Sequence, residues 1–173
     1  MASMSATSQP GPQYADDAAT LAPISHERLV AALESLDVSF GVDDDGMLYS
    51  MLEGGHPCGF GLTGPGEDNV VFWFHVRWAP TLTREELPVA FRAVNEWNAT
   101  QLFPRALCIP DEEGNCIFVA DYLHDYECGV TDAQLSNDIS VAITTSINFV
   151  DYLNGEFPEL VAADTGQSES VER

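Results

Sequence analysis

Residues Asn69–Asn98 read NVVFWFHVRWAPTLTREELPVAFRAVNEWN, and the fold is organised around them. The first ten residues are too rich in valine and aromatic side chains to prefer a helix. In a strand, Val70, Phe72, Phe74, Val76 and Trp78 fall on one face, and Val71, Trp73, His75 and Arg77 on the other. Ala79-Pro80 breaks the run. Thr83 and Glu86 then have the spacing of a capping box. Leu87, Phe91, Val94 and Trp97 follow at helical spacing, so the helix is expected to lay that stripe on the strand. On this reading Phe91→Ala leaves a core cavity and costs about 3–5 kcal/mol. Pro88 leaves two openings for the start: a first turn of 3₁₀ type, or a regular helix beginning at Leu87–Pro88.

Working outward, Ser25 caps a first helix expected over His26–Leu36, with Leu29, Val30, Leu33 and Leu36 on its apolar side. VSFGV-DDDG-MLYSML (38–52) has the form of a hairpin with an Asp/Gly turn. The glycine-rich EGGHPCGFGLTGPGEDN (53–69) holds a third short strand near Phe60–Thr63. Its glycines suggest tight turns or close backbone approach, because no helix start follows where a phosphate cradle needs one. After the central strand and helix, FPRALCIP-DEEG-NCIFVADYL (103–123) repeats the hairpin design. A long last helix follows, opened by a Thr131/Gln134 capping box and stopped at Asn154-Gly155. Leu135, Ile139, Ala142, Ile143, Ile147, Val150 and Leu153 form its apolar stripe. The expected class is α+β in the order α-β-β-β-α-β-β-α, an antiparallel sheet with helices packed on it. Residues 25–160 form one domain, between a disordered arm at 1–24 and a disordered tail at 161–173.

The 173 residues are 45% hydrophobic and 10% aromatic, which suits one globular core. Charge is the anomaly: 28 acidic residues stand against six arginines and no lysine, a net −22. Such a surface repels phosphate backbones and anionic membranes, so neither nucleic acid nor membrane is an expected partner. It serves solubility, or it faces a basic partner. There is no spanning segment and no signal peptide, so a cytoplasmic location is expected. The cysteines at 58, 108, 116 and 128 show no CxxC pair and read as buried free thiols. Cys108 and Cys116 flank a hairpin turn, and strand parity is read as placing them on opposite faces.

Chemistry is scarce. Neither Asp/Gly turn is a calcium loop: with Gly46 at the loop glycine, Gly41 and Leu52 occupy ligand positions, and DEEG brings Ile109 to the first. His56, Cys58, His75, His124 and Cys128 have no spacing of a metal clip, so no metal and no cofactor are expected. No nucleotide or nucleophile motif is present, and no catalytic residue is assigned. Trp73, His75 and Arg77, an amphipathic Trp on a half-polar face, form the candidate protein interface. The other reading of Trp73 is that a second part of the same chain covers it. A second candidate is the glycine-rich loop 54–66, where His56 and Cys58 would line a small-molecule site.

AVNEWNATQLFPRA with its paired Asn95 and Asn98, the DEEG turn followed by CIFVADYL, and GVTDAQL opening a long helix that ends near FPEL together resemble the bacterial YbjN family. The likeness spans about residues 26–160. It implies a fold similar to type III secretion chaperones. It also implies a small non-enzymatic protein that binds other proteins as a homodimer and influences signalling or stress responses. The family supplies no catalytic or ligand residues to carry over.

Overall fold

The computed structural model describes residues 20–64 and 69–162. The elements run α1 (His26–Ser35), β1 (Gly41–Val42), β2 (Leu48–Leu52), β3 (His56–Thr63), β4 (Val71–Arg77), a 3₁₀ turn (Arg84–Glu86), α2 (Leu87–Thr100), β5 (Arg105–Pro110), β6 (Cys116–Asp125) and α3 (Asp132–Glu156). Four strands precede α2 where the sequence-based order has three, because both arms of the first hairpin pair and the glycine-rich strand adds to them. The six strands form one antiparallel sheet in the order β1-β2-β3-β4-β6-β5.

Both Asp/Gly turns are built alike. Asp43 accepts the backbone N–H groups of Asp45 and Met47, and Asp111 those of Glu113 and Asn115. Gly46 and Gly114 take the left-handed backbone that closes each turn, φ +82° and +84°. The two openings left by Pro88 both occur: a 3₁₀ turn comes first, and α2 follows with the proline in its first turn, where no backbone donor is needed. Glu86 accepts from the Thr83 N–H and hydroxyl, each at 2.8 Å.

One face of the sheet carries Leu48, Phe60, Phe72, Phe74, Val76, Phe118 and Ala120, all buried beneath the helices. Trp78 joins this layer, meets Phe118 and Phe157 and donates its indole N–H to Asn154 Oδ1 at 2.9 Å. Trp97 packs on Phe149 and Tyr152 and donates to the Pro104 carbonyl. Asn98 docks α2 to the sheet edge: its amide donates to the Ala106 carbonyl at 3.0 Å and accepts the Ala106 N–H at 2.9 Å. Those β5 groups point away from β6 and would otherwise form an open edge. At the other end, Arg28 donates to the carbonyls of Ala22, Pro23 and Val130 and pairs with Asp132 at 2.5 Å.

Several sequence-based expectations are corrected. The α2 stripe is Ala90, Ala93, Val94 and Trp97, and Phe91 is 52% exposed. Ile147 is also exposed, its place on α3 taken by Ser146 and Phe149. Gly155 lies inside α3, which stops at Phe157. Cys108 and Cys116 meet in a disulfide. Paired residues of a hairpin share a face, and with Cys108 opposite Phe118 and Pro110 opposite Cys116, the two cysteines are diagonal neighbours on one side. Of the remaining thiols Cys58 is buried, whereas Cys128 is exposed. Residues 20–24, read as part of the arm, are bound by an Ala22–Val130 bridge and by Ile24 in the core. The rest of the arm, and the tail beyond residue 162, lie outside the described residues.

Candidate functional site

Among the described residues no helix lies on the opposite face of the sheet. Strand pairing sets its residues in rows: Tyr49–Gly59–His75–Asp121–Arg105 across the middle, Gly61–Trp73–Leu123 on one side, and Arg77–Val119–Leu107 on the other. Tyr49, Met51 and Leu123 are 54%, 61% and 47% exposed. The three residues singled out in sequence lie together here on alternate positions of β4.

Trp73 lies flat, and the glycines explain how. A Cβ on Gly61 would fall 2.4 Å from the indole, so the ring occupies the space a side chain would fill. His75 stacks on Trp73 with centroids 4.5 Å apart and planes 12° from parallel. Tyr49 covers Gly41 in the same manner, at 2.4 Å from a Cβ built there. The glycine-rich stretch is therefore a bed for aromatic rings, consistent with the close approach expected of it. Between Tyr49 and His75, above Gly59, remains a groove of about 230 Å³ that also touches Pro57 and Arg77.

Burial lowers the pKa of His75, with the Asp121 carboxylate opposing that shift. Asp121 is paired with Arg105 at 2.6 Å. Arg77 donates to the Thr81 hydroxyl at 3.4 Å, and neither it nor Asp125 has an ion-pair partner among the described residues. The chemistry available is that of a contact surface: flat aromatic rings, aliphatic side chains and a few oriented charges.

His56 and Cys58, the second candidate, both point to the core side of β3. The imidazole accepts the Ala79 N–H on Nδ1 at 3.0 Å and lines a cavity of about 380 Å³ with Leu52, Gly54, Pro80, Val150 and Asn154. Cys58 is not among the residues lining it. Burial pushes its thiol up to about 11, with Ser50 opposing the shift, so the nucleophilic thiolate is scarce. Residues 65–68 of that loop lie outside the described residues.

A polar cluster escaped the sequence reading. Asp138 on α3 accepts from the hydroxyls of Tyr122 and Tyr126 and lies 2.9 Å from His124 Nδ1. Burial, with the carboxylate adding to it, pushes Tyr122 up to about 12 and Tyr126 higher still. Its one sequence signal is the even spacing of Tyr122, His124 and Tyr126, which puts polar tips on the covered side of β6. Among the described residues no group of three or more His, Cys, Asp or Glu is placed to hold a metal ion, and no helix is long and apolar enough to cross a membrane.

A family model described as "YbjN: Putative bacterial sensory transduction regulator" matches residues 25–154. The crystal structure of YbjN from E. coli, described as "a putative transcription regulator", superposes with a TM-score of 0.67 at 17% sequence identity, over 79% of this chain and 96% of that one. At that identity the likeness speaks for the fold. No curated protein sequence matches the chain.

Proposed function

The chain belongs to the YbjN family, and from that premise we propose that it is a non-enzymatic regulatory protein of the bacterial cytoplasm. It works as a homodimer, and through protein–protein contacts of a chaperone-like kind, with the outer sheet face as the contact surface. The observation carrying this reading is the uncovered face itself. It is a continuous patch around Trp73, built with glycines beneath the rings, whereas the opposite face of the same strands lies under helices. Nucleic acid and membranes are poor partners for a chain of net charge −22.

The test uses a photo-crosslinking amino acid at Met51 or Leu123, or at Ser140 on the exposed side of α3, because the chain has no lysine for amine-reactive reagents. Protein adducts in bacterial lysate are expected from positions 51 and 123 and not from 140. Equal adducts from all three, or none from the sheet positions, would end the proposal. The His56 cavity of about 380 Å³ supports a second reading, a small-molecule site, since its size falls within the usual range for ligand pockets. A metabolite screen by thermal shift that His56→Ala does not alter would remove it.

A further inference from the structure

The outer face differs from the rest of the molecule in charge as well as in cover. The chain as a whole carries −22. On the outer rows of the sheet the ionised side chains are Arg77 and Arg105 against Asp121 and Asp125, and with Asp43 at the lip of the groove beside Tyr49 and Arg77 they nearly balance. Two of the six arginines of the chain are spent on this one surface. A nearly neutral, apolar face on a strongly acidic body is where another body of the same charge can approach with least repulsion.

Two of the four charges on the strands have no opposite partner among the described residues. Asp121 and Arg105 are paired with each other, whereas Arg77 and Asp125 stand at opposite ends of the β4–β6 ladder, where Arg77 faces Val119 and Asp125 faces Val71. A two-fold axis across the strands at the Phe74–Tyr122 pair, between Trp73 and His75, would lay the Arg77 end of one face on the Asp125 end of another. It would satisfy both charges twice, as an isologous contact requires. Six strands at about 4.8 Å, by about seven residues at 3.3 Å, give a face of roughly 650 Å². Two such faces bury about 1,300 Å² in total, within the range of specific interfaces.

We propose that the occupant of the outer face is a second copy of this chain, packed sheet on sheet about that two-fold, with Trp73 at its centre and Arg77 paired to the partner's Asp125. This deepens the preceding proposal and rests on it. The arrangement has an unusual salt signature. Salt screens both the Arg77–Asp125 pairs and the repulsion between two bodies of −22, and the second effect is much the larger. Dimerisation therefore tightens as salt rises. A basic partner on an acidic surface would show the reverse.

The experiment is sedimentation of the purified full chain at 50 and 500 mM NaCl, with Arg77→Asp, Asp125→Arg and Trp73→Asp. The expected result is a dimer about tenfold tighter at high salt. Each charge reversal should weaken it about tenfold, an equimolar mixture of the two reversals should restore it, and Trp73→Asp should be monomeric. Arg77 and Asp125 are exposed, so their variants report on the interface even if the Trp73 substitution perturbs folding. A native chain that stays monomeric at both salts, or reversals that do not rescue each other, overturns the second copy as occupant. If photo-adducts with other proteins at Met51 persist in that case, the contact surface survives without it. If they too are absent, both proposals fall.

Discussion

The two faces of β4 are built from alternate residues of one seven-residue strand, and they obey different rules. Phe72, Phe74 and Val76 are fully buried beneath the helices, with Phe74 packed on Phe60 and Phe72 on Tyr122. Trp73, His75 and Arg77, one residue out of phase, are half-buried or exposed, and the two rings rest on Gly59 and Gly61. The inner side is fixed by volume, because a core has no room to spare. The outer side is fixed by shape and charge, because nothing within the described chain fills it. Stability is therefore concentrated on one face, which leaves the composition of the other available for recognition.

The contrast breaks most visibly at Phe74. Phe74→Ala removes a ring with no exposure that packs 4.7 Å from Phe60, and should cost about 3–5 kcal/mol in urea denaturation. Trp73→Ala, one position along, should cost about 1 kcal/mol, the order expected away from the core. Equal losses would mean that the outer face is as structural as the inner one.

The free edge tests whether the sheet needs cover anywhere else. Asn98→Ala removes two hydrogen bonds and leaves the outward Ala106 N–H and carbonyl to water or to another strand. A loss of about 1–3 kcal/mol is expected, together with concentration-dependent aggregation from the exposed edge. Aggregation seen by light scattering in this variant, and absent in Trp73→Ala, would separate edge pairing from face pairing.

The inner face also has a pH limit. Tyr122 is raised from an ordinary phenol value of 10 to about 12, by burial first and then by the Asp138 charge. The unfolded phenol ionises more readily than the folded one, so unfolding gains from alkali. Stability should be complete below pH 10 and drain away as pH climbs through about 12, with Tyr126 adding in the same direction. Spectrophotometric titration should show the buried phenols still protonated at pH 11. Asp138→Asn should move their ionisation downward, because it removes the neighbouring charge.

Much of the fold was legible because its signals are local. The two-residue period of 70–78, the Asp/Gly turns and the capping boxes at Thr83 and Thr131 each act within a few residues, and all appear in the structure. What escaped depends on strand register or on partners in other elements. The meeting of Cys108 with Cys116 turns on hairpin register, which the turn alone did not fix. The Asp138 cluster joins β6 to a carboxylate on α3. Trp73, His75 and Arg77 are neighbours on one strand in both readings, but the glycines that seat the two rings belong to β3 and take on meaning only once β3 is paired beside β4. His56 and Cys58 share the core side of β3, but only the imidazole reaches the cavity.

The smallest expected effect concerns the residue that sequence periodicity misjudged. Leu87, Phe91, Val94 and Trp97 satisfy helical spacing, but so do Ala90, Ala93, Val94 and Trp97, and hydrophobicity alone favours the first set. Close docking favours the second. Asn98 can reach both polar groups of Ala106 only if α2 lies near the strand, and alanines at 90 and 93 permit that approach where a phenylalanine would hold the helix away. Phe91 is thereby turned to the solvent side. Phe91→Ala should change stability by no more than about 0.5–1 kcal/mol, against the 3–5 kcal/mol expected of a core site. Ala93→Phe, by contrast, should destabilise by overpacking the docked face, about 1–3 kcal/mol. A large loss at Phe91 with tolerance at Ala93 would mean that α2 is rotated from the orientation described, and that its docking through Asn98 is wrong with it.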